Sequence, residues 1–191
     1  LGATSLTAVS GSPVAGDFNP GTDNDLTTGI WYLRDSAIDA ASSATISVTP
    51  VTTSATECYL TAAYFTGVDQ TFTPTLLSTT SSLSISSTSV PIGDVIVGGG
   101  TFSKVTAAVD SANSAPSATS LATSGSYFAM GRTNADTVVS DHTLAFSSGG
   151  GTKEVIIGFV MQENAGDVTA PTITSFLRQN PTTATTNDST P

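Results

Sequence analysis

The sequence predicts an all-β protein: a two-sheet antiparallel sandwich, jelly-roll or Ig-like, with an extended C-terminal strand. Three observations predict this fold. Serine and threonine make up about a third of the 191 residues, whereas lysine and arginine together number 5, and β-branched threonine fits a pleated, half-solvated surface. Short runs alternate apolar and polar residues with a period of two. Glycine, proline, serine and threonine interrupt the longer runs, so helical periodicity does not extend far.

The period-two runs predict strands along most of the chain. The alternation is cleanest at 44–49, where Ile46 and Val48 would face the core. The runs 60–65 and 155–160 are more continuously apolar than the others, which favours central strands that are buried on both faces or are at least the most protected. The predicted strands cover residues 5–9, 29–33, 44–49, 57–66, 83–87, 94–97, 127–132, 142–146 and 153–161.

Turn-rich links separate these strands. The triple glycines at 98–100 and 149–151 predict hairpin ends or bulges, because glycine readily adopts a positive φ. Residues 11–16 and 112–126 are also predicted as links. A helix of one or two turns is expected at 35–43, which begins with an aspartate and is rich in alanine.

The composition changes at Gly166, which predicts a sandwich domain over 1–166 and a Thr/Pro-rich tail over 167–191. Such a tail is an extended linker or a donor strand. The chain begins at Leu1 without a methionine or a leader, so we expect an exported protein whose leader has been removed. The tail contains one apolar strand, expected to act in assembly: Thr172, Ile173, Thr174, Ser175, Phe176 and Leu177.

Two segments carry a resemblance to known families. The tail, from Asp167-Val168-Thr169-Ala170-Pro171 to the final Pro191, resembles the opening of bacterial Ig-like repeats, which often begin with an acidic residue and Thr-Ala-Pro. The body resembles sandwich modules of bacterial and phage surface proteins. In those modules an aromatic strand, here 29–33, precedes a hydrophobic strand ending in Ser/Thr-Gly-Val-Asp-Gln, here 66–70. The resemblance implies an extracellular location, and a sheet that lacks one or two leading strands.

Charge excludes two classes of partner. The net charge is −10, so the chain would repel nucleic-acid phosphates and anionic membranes. No apolar run approaches the roughly 20 residues that span a bilayer, and no membrane insertion is expected. The single cysteine, Cys58, cannot form an intrachain disulfide; a buried small apolar residue is its main interpretation and a reactive thiol the alternative.

No catalytic constellation is evident, and an enzyme is not predicted. His142 is the single histidine, and its neighbour Asp141 would point to the opposite face of a strand. We therefore expect His142 at a turn or a strand start. Glu57, Glu154 and Glu163 are expected to be solvated charges at strand ends rather than the paired carboxylates of a glycosidase.

The loop 17–25 is the one candidate metal site. It concentrates acidic and amide side chains, whose hard oxygen atoms suit Ca²⁺. The alternative is a plain polar loop, since Asp and Asn are ordinary turn residues. No other cofactor is predicted. The candidate calcium ligands are Asp17, Asn19, Asp23 and Asp25.

Two functions remain in competition. The first is an extracellular structural subunit of a filament, sheath or surface fibre, polymerising head to tail when its apolar tail strand completes the sheet of a neighbouring copy. The second is a carbohydrate- or surface-binding module of a bacterial adhesin or phage fibre. Exposed members of Trp31-Tyr32 and Tyr127-Phe128 would bind the glycan in that case.

Overall fold

The computed structural model describes residues 6–16, 26–41, 59–103, 106–124, 127–149, 154–164 and 172–179. Within them the chain is all-β, with one short helix, and the predicted fold class is confirmed. The N-terminal elements are β1 (Thr7–Ala8), β2 (Val14–Gly16), β3 (Leu26–Thr28), β4 (Trp31–Tyr32) and α1 (Asp35–Asp39). The remaining strands are β5 (Leu60–Thr66), β6 (Leu76–Thr79), β7 (Ser84–Val90), β8 (Val95–Phe102), β9 (Ala108–Val109), β10 (Ala118–Thr123), β11 (Phe128–Thr133), β12 (Ser140–Ser147), β13 (Glu154–Met161) and β14 (Thr172–Gln179).

Strands β6 to β13 form a jelly roll. A five-stranded sheet has the order β10-β11-β8-β13-β6, and a three-stranded sheet has the order β7-β12-β9. The pairing is nested and antiparallel: β6 pairs with β13, β7 with β12, and β8 with β11. The first strand of the set therefore pairs with the last and the second with the second last, as when a long hairpin is rolled into two facing sheets.

The inner faces of the two sheets enclose the main apolar core. Phe102 and Phe146 meet across it with ring centroids 5.9 Å apart and planes tilted by 48°. The core residues include Ile85, Leu144 and Phe146 of the three-stranded sheet and Ile96, Phe102 and Ile156 of the five-stranded sheet.

The five-stranded sheet is a middle layer, because the N-terminal strands cover its outer face. Val97 and Phe159 pack there with Val9, which is 1% exposed, and with the partly buried Ile30. Strands β8 and β13 are consequently buried on both faces. The prediction that 155–160 is a central strand is confirmed.

The glycines at 98–100 do not form a turn, so the hairpin-end prediction was wrong. They lie in the middle of β8, and Gly98 pairs with Gly158 of β13. A Cβ on Gly98 would lie 2.9 Å from Cδ1 of Ile85, and a Cβ on Gly158 would lie 2.5 Å from the same atom. The two glycines leave a depression in the middle sheet that the Ile85 side chain fills from the facing sheet.

Several strands lie where the sequence predicted links or where it predicted no element. β2 lies within the predicted link 11–16 and β10 within the link 112–126. The buried residues of β10 are Ala118 and Ala122, and such small side chains give no strong apolar alternation. The helix expected from residue 35 is confirmed as α1. The predicted strand 44–49 lies outside the described residues.

Candidate functional site

The predicted tail strand exists and pairs within its own chain. β14 runs antiparallel to β5, from Thr172 opposite Thr66 to Gln179 opposite Leu60. These two strands form a two-stranded sheet, which we call the β5–β14 ribbon. The strand expected at 172–177 is therefore confirmed as a strand, and its role in assembly stays a prediction.

The pairing contains a register shift. Ile173 lies opposite Phe65 and Ser175 opposite Tyr64, with Thr174 left between them. Phe65 and Tyr64 are consecutive in β5, so Thr174 of β14 has no register partner, as in a β-bulge.

β5 lies at the periphery of the fold rather than in a sheet centre. None of its seven residues is buried, and Tyr64 is 39% exposed. The prediction that 60–65 is a central strand buried on both faces was wrong, because none of its residues is buried; among the described residues β5 pairs with β14. Backbone bonds after β5 tie it to the body, with the Asn164 N–H donating to the Gly67 carbonyl at 2.8 Å and the Asp69 N–H to the Gln162 carbonyl at 2.9 Å.

The candidate calcium ligands lie outside the described residues, and so do Cys58 and Glu57. In the part of the chain that is described, His, Cys, Asp and Glu side chains form no group of three or more that could hold a metal ion. The calcium hypothesis therefore stays a prediction. Its residues are Asp17, Asn19, Asp23 and Asp25.

His142 lies inside a strand, since β12 begins two residues earlier than predicted. Its side chain is fully buried, and Nδ1 lies 3.1 Å from Oγ1 of Thr133. That hydroxyl oxygen in turn accepts the Ile96 N–H at 3.0 Å. Burial lowers the pKa of His142, against an opposing effect of the Asp136 carboxylate. Asp141 instead accepts the Ser89 N–H at 3.0 Å. His142 is thus part of a polar contact within the core.

Two carboxylates are buried. The sequence predicted a solvated charge for one of them, Glu154, and made no prediction about the exposure of the other, Asp94. Glu154 begins β13 as predicted but is only 4% exposed, and burial raises its pKa. The expectation that it is solvated was wrong, because Glu154 lies on the same face of β13 as the core residue Ile156. Asp94, which sequence reasoning missed, is 5% exposed and accepts the Glu163 N–H at 2.9 Å.

The pKa of Asp94 is raised. Burial is the main cause, the charges of Glu163 and Asp69 add to it, and the hydrogen bond from the Glu163 N–H opposes it. The sequence signal for this residue was its position: it directly precedes the buried strand β8 and directly follows Gly93, which has a φ of 86°.

A cleft of about 270 Å³ opens beside Asp94. It lies between the edge strand of each sheet, β6 and β7, and Asp94 forms part of its wall. We call it the β6–β7 cleft. Its lining comes from segments near residues 73, 88 and 161, which are far apart in the sequence, and for this reason no local motif pointed to it.

The aromatic pairs proposed for glycan binding are partly accessible. Trp31 is 37% exposed. The guanidinium carbon of Arg34 lies 5.7 Å from the ring centroid of Tyr32. Phe128 stacks on Tyr59 at 6.2 Å between ring centroids. The prediction that one member of the Trp31-Tyr32 pair is exposed is confirmed for Trp31.

The chain matches no protein-family model, no curated protein and no solved structure. The helix in the described part of the chain is too short to cross a membrane.

Proposed function

We propose that this chain is a structural module of an extracellular filament, sheath or surface fibre, and that β14 links successive copies. In a single chain β14 pairs with β5. In the assembly, β14 of one copy would take the same place beside β5 of the next copy. Exchange of an identical element keeps every register pair, and repetition from head to tail gives an open fibre.

The β5–β14 ribbon is the observation that carries this proposal. Its seven register pairs indicate that the two segments are complementary along their whole length, and main-chain hydrogen bonds supply most of the affinity in strand addition. An isolated two-stranded ribbon is only marginally stable, and β5 contributes no buried residue. β14 can therefore leave β5 without opening the jelly-roll core.

Composition and resemblance support the extracellular setting. The surface relies on serine and threonine hydroxyls, with charged residues at 10% of the chain against the usual quarter. The tail resembles the opening of bacterial Ig-like repeats, and the body resembles surface-protein modules. The hydroxyl-rich composition and these two resemblances are also consistent with a chain that repeats along a fibre.

Disulfide trapping in trans tests the exchange. Leu177 lies opposite Ala62 in the register, and facing residues of an antiparallel pair are close enough for a disulfide. Two chains would be prepared, one with Ala62→Cys and one with Leu177→Cys, both with Cys58→Ser. When they are mixed at high concentration and oxidised, we expect a covalent heterodimer on a non-reducing gel.

The matched control replaces Leu177→Cys by Thr172→Cys. Thr172 lies opposite Thr66, four residues and roughly 13 Å along the strand from Ala62, which is beyond disulfide reach. Failure to trap more heterodimer than this control would refute the exchange, provided that the Ala62→Cys/Leu177→Cys double variant closes its internal disulfide.

A further inference from the structure

We propose that the β6–β7 cleft binds one ring of a neutral, hydroxyl-rich ligand, that is, a glycan unit. The cleft shares no residue with the β5–β14 ribbon, so a fibre subunit and a glycan-binding surface are compatible in one chain. The inference does not depend on assembly through β14.

The size of the cleft limits what enters it. Its volume of about 270 Å³ lies just below the ~300–1,000 Å³ of pockets that hold drug-sized ligands. The cleft is partly open to solvent, so a single ring can enter while its substituents continue outward. This geometry suits one unit of a chain rather than an enclosed small molecule.

The walls combine hydrogen-bonding groups with apolar ones. Phe72, Leu77 and Val160 supply apolar surface. A pyranose ring presents the same combination, with C–H groups on its faces and hydroxyls around its rim. Besides Asp94, the polar lining consists of Thr73, Thr75, Ser87, Thr88, Ser89 and Gln162.

The charges at the cleft select a neutral ligand. The lining contains no lysine or arginine, and Asp94 has Glu163 and Asp69 near it, so phosphates and carboxylates would be repelled. Asp94 is 5% exposed and already accepts the Glu163 N–H. Asp94 can therefore accept a hydrogen bond from a ligand hydroxyl. It does not provide the several accessible carboxylates that a cation needs.

Several contacts hold the cleft in shape before any ligand arrives. Phe72 stacks on Phe159 of the middle sheet, with ring centroids 6.1 Å apart. On the opposite wall, Ser89 has a φ of 54° and its N–H donates to Asp141. Preformed walls reduce the ordering cost of binding.

Titration of the full chain by two-dimensional ¹H–¹⁵N NMR tests the proposal. The probes are the methyl glycosides of glucose, galactose, mannose and N-acetylglucosamine, each up to 50 mM at pH 6.5. Glucose 6-phosphate and protonated glucosamine serve as charged counterparts. We expect at least one neutral glycoside to give saturable shifts confined to Phe72–Thr75, Ser87–Ser89 and Gln162.

Two variants locate the ligand. Asp94→Asn keeps an oxygen for the Glu163 N–H but loses the charge, and Gln162→Ala shortens an exposed wall residue, so both should fold. We expect each to weaken binding, Asp94→Asn by about tenfold or more. Asp39→Asn, on the exposed helix α1, is the matched control and should bind as the unmodified chain does.

Three results would overturn the proposal. The first is the absence of saturable shifts with every neutral glycoside. The second is binding that Asp94→Asn and Gln162→Ala leave unchanged. The third is a charged counterpart that binds more tightly than its neutral partner, which would make the cleft an ion-binding site.

Discussion

His142 makes the sandwich sensitive to acid. Burial lowers the pKa of this imidazole in the folded chain, whereas in the unfolded chain it is about 6.5. The unfolded chain therefore binds the proton more readily, so this contribution to stability is present above about pH 6.5 and is lost as the pH falls towards the folded-state pKa. We expect the free energy of unfolding to decrease by up to about 1.4 kcal/mol per pH unit in that window, measured by urea denaturation from pH 7.5 to 5.

His142→Leu is the control for this slope, because leucine has a similar volume and no titrating group. The pKa values of Asp94 and Glu154 are raised in the folded chain, so their contribution has the opposite sign and grows as the pH falls. The comparison between the two chains isolates His142. Equal slopes in both chains would show that the histidine does not control this pH dependence.

The packing of Gly98 against Ile85 is a second contribution of individual residues to the stability of the fold. A Cβ on Gly98 would lie 2.7 Å from the Ile157 carbonyl oxygen and 2.9 Å from Cδ1 of Ile85. We expect Gly98→Ala to lower the free energy of unfolding by about 1–3 kcal/mol, measured by urea denaturation. Combining it with Ile85→Val removes Cδ1, so the double variant should lose less than the sum of the two single losses.

Gly99→Ala provides the matched control in the same strand. The nearest atom to a Cβ there is the Ala129 carbonyl oxygen at 3.1 Å, so its cost should be smaller and should not change with Ile85→Val. Strictly additive losses for Gly98→Ala and Ile85→Val would mean that Ile85 does not fill the glycine depression.

At the scale of elements, the β5–β14 ribbon should open more readily than the middle sheet. β5 has no buried residue and one partner strand among the described residues, whereas β8 is flanked by β11 and β13. Local opening free energies follow such differences in burial and pairing. We expect the backbone amides of Leu60–Thr66 to exchange hydrogen faster than those of Val95–Phe102, measured by native-state exchange and NMR. Equal protection in the two strands would place β5 in the cooperative core.

The sequence predicted some strands correctly because the burial of their faces determines their pattern of apolar and polar residues. β7 and β12 have one face on the core, so a period of two reveals them. β13 is buried on both faces and reads as a continuous apolar run. The run at 60–65 is also mostly apolar but lies in a peripheral ribbon, since apolar content does not determine how deeply a strand is buried.

Other features depend on contacts that no local pattern contains. The glycines at 98–100 resemble a turn in isolation, and the neighbours that crowd them in the sheet, such as the Ile85 side chain beside Gly98, come from distant segments. β10 pairs with β11 through a segment of small and hydroxyl residues. The β6–β7 cleft likewise forms from three separate segments, and the burial of Asp94 follows from the packing around it.

At the scale of the whole molecule, the buried core and the strand proposed for assembly lie in different parts of the fold. The N-terminal strands, the five-stranded sheet and the three-stranded sheet share the buried apolar residues, and the ribbon lies apart from the main core between the two sheets. A structural module with this division can exchange its ribbon strand between copies while each jelly roll stays folded. Each copy would also carry a β6–β7 cleft, so a fibre would present a row of identical clefts.

Sedimentation velocity of the full chain and of a chain lacking residues 168–191 tests the exchange of β14 most directly. We expect the full chain to form oligomers that lengthen with concentration, with regular filaments by electron microscopy, and the shortened chain to sediment as a monomer. A full-length Leu177→Pro variant, in which proline disrupts the strand, should behave like the shortened chain. Assembly of the shortened chain to the same extent as the full chain would contradict the account.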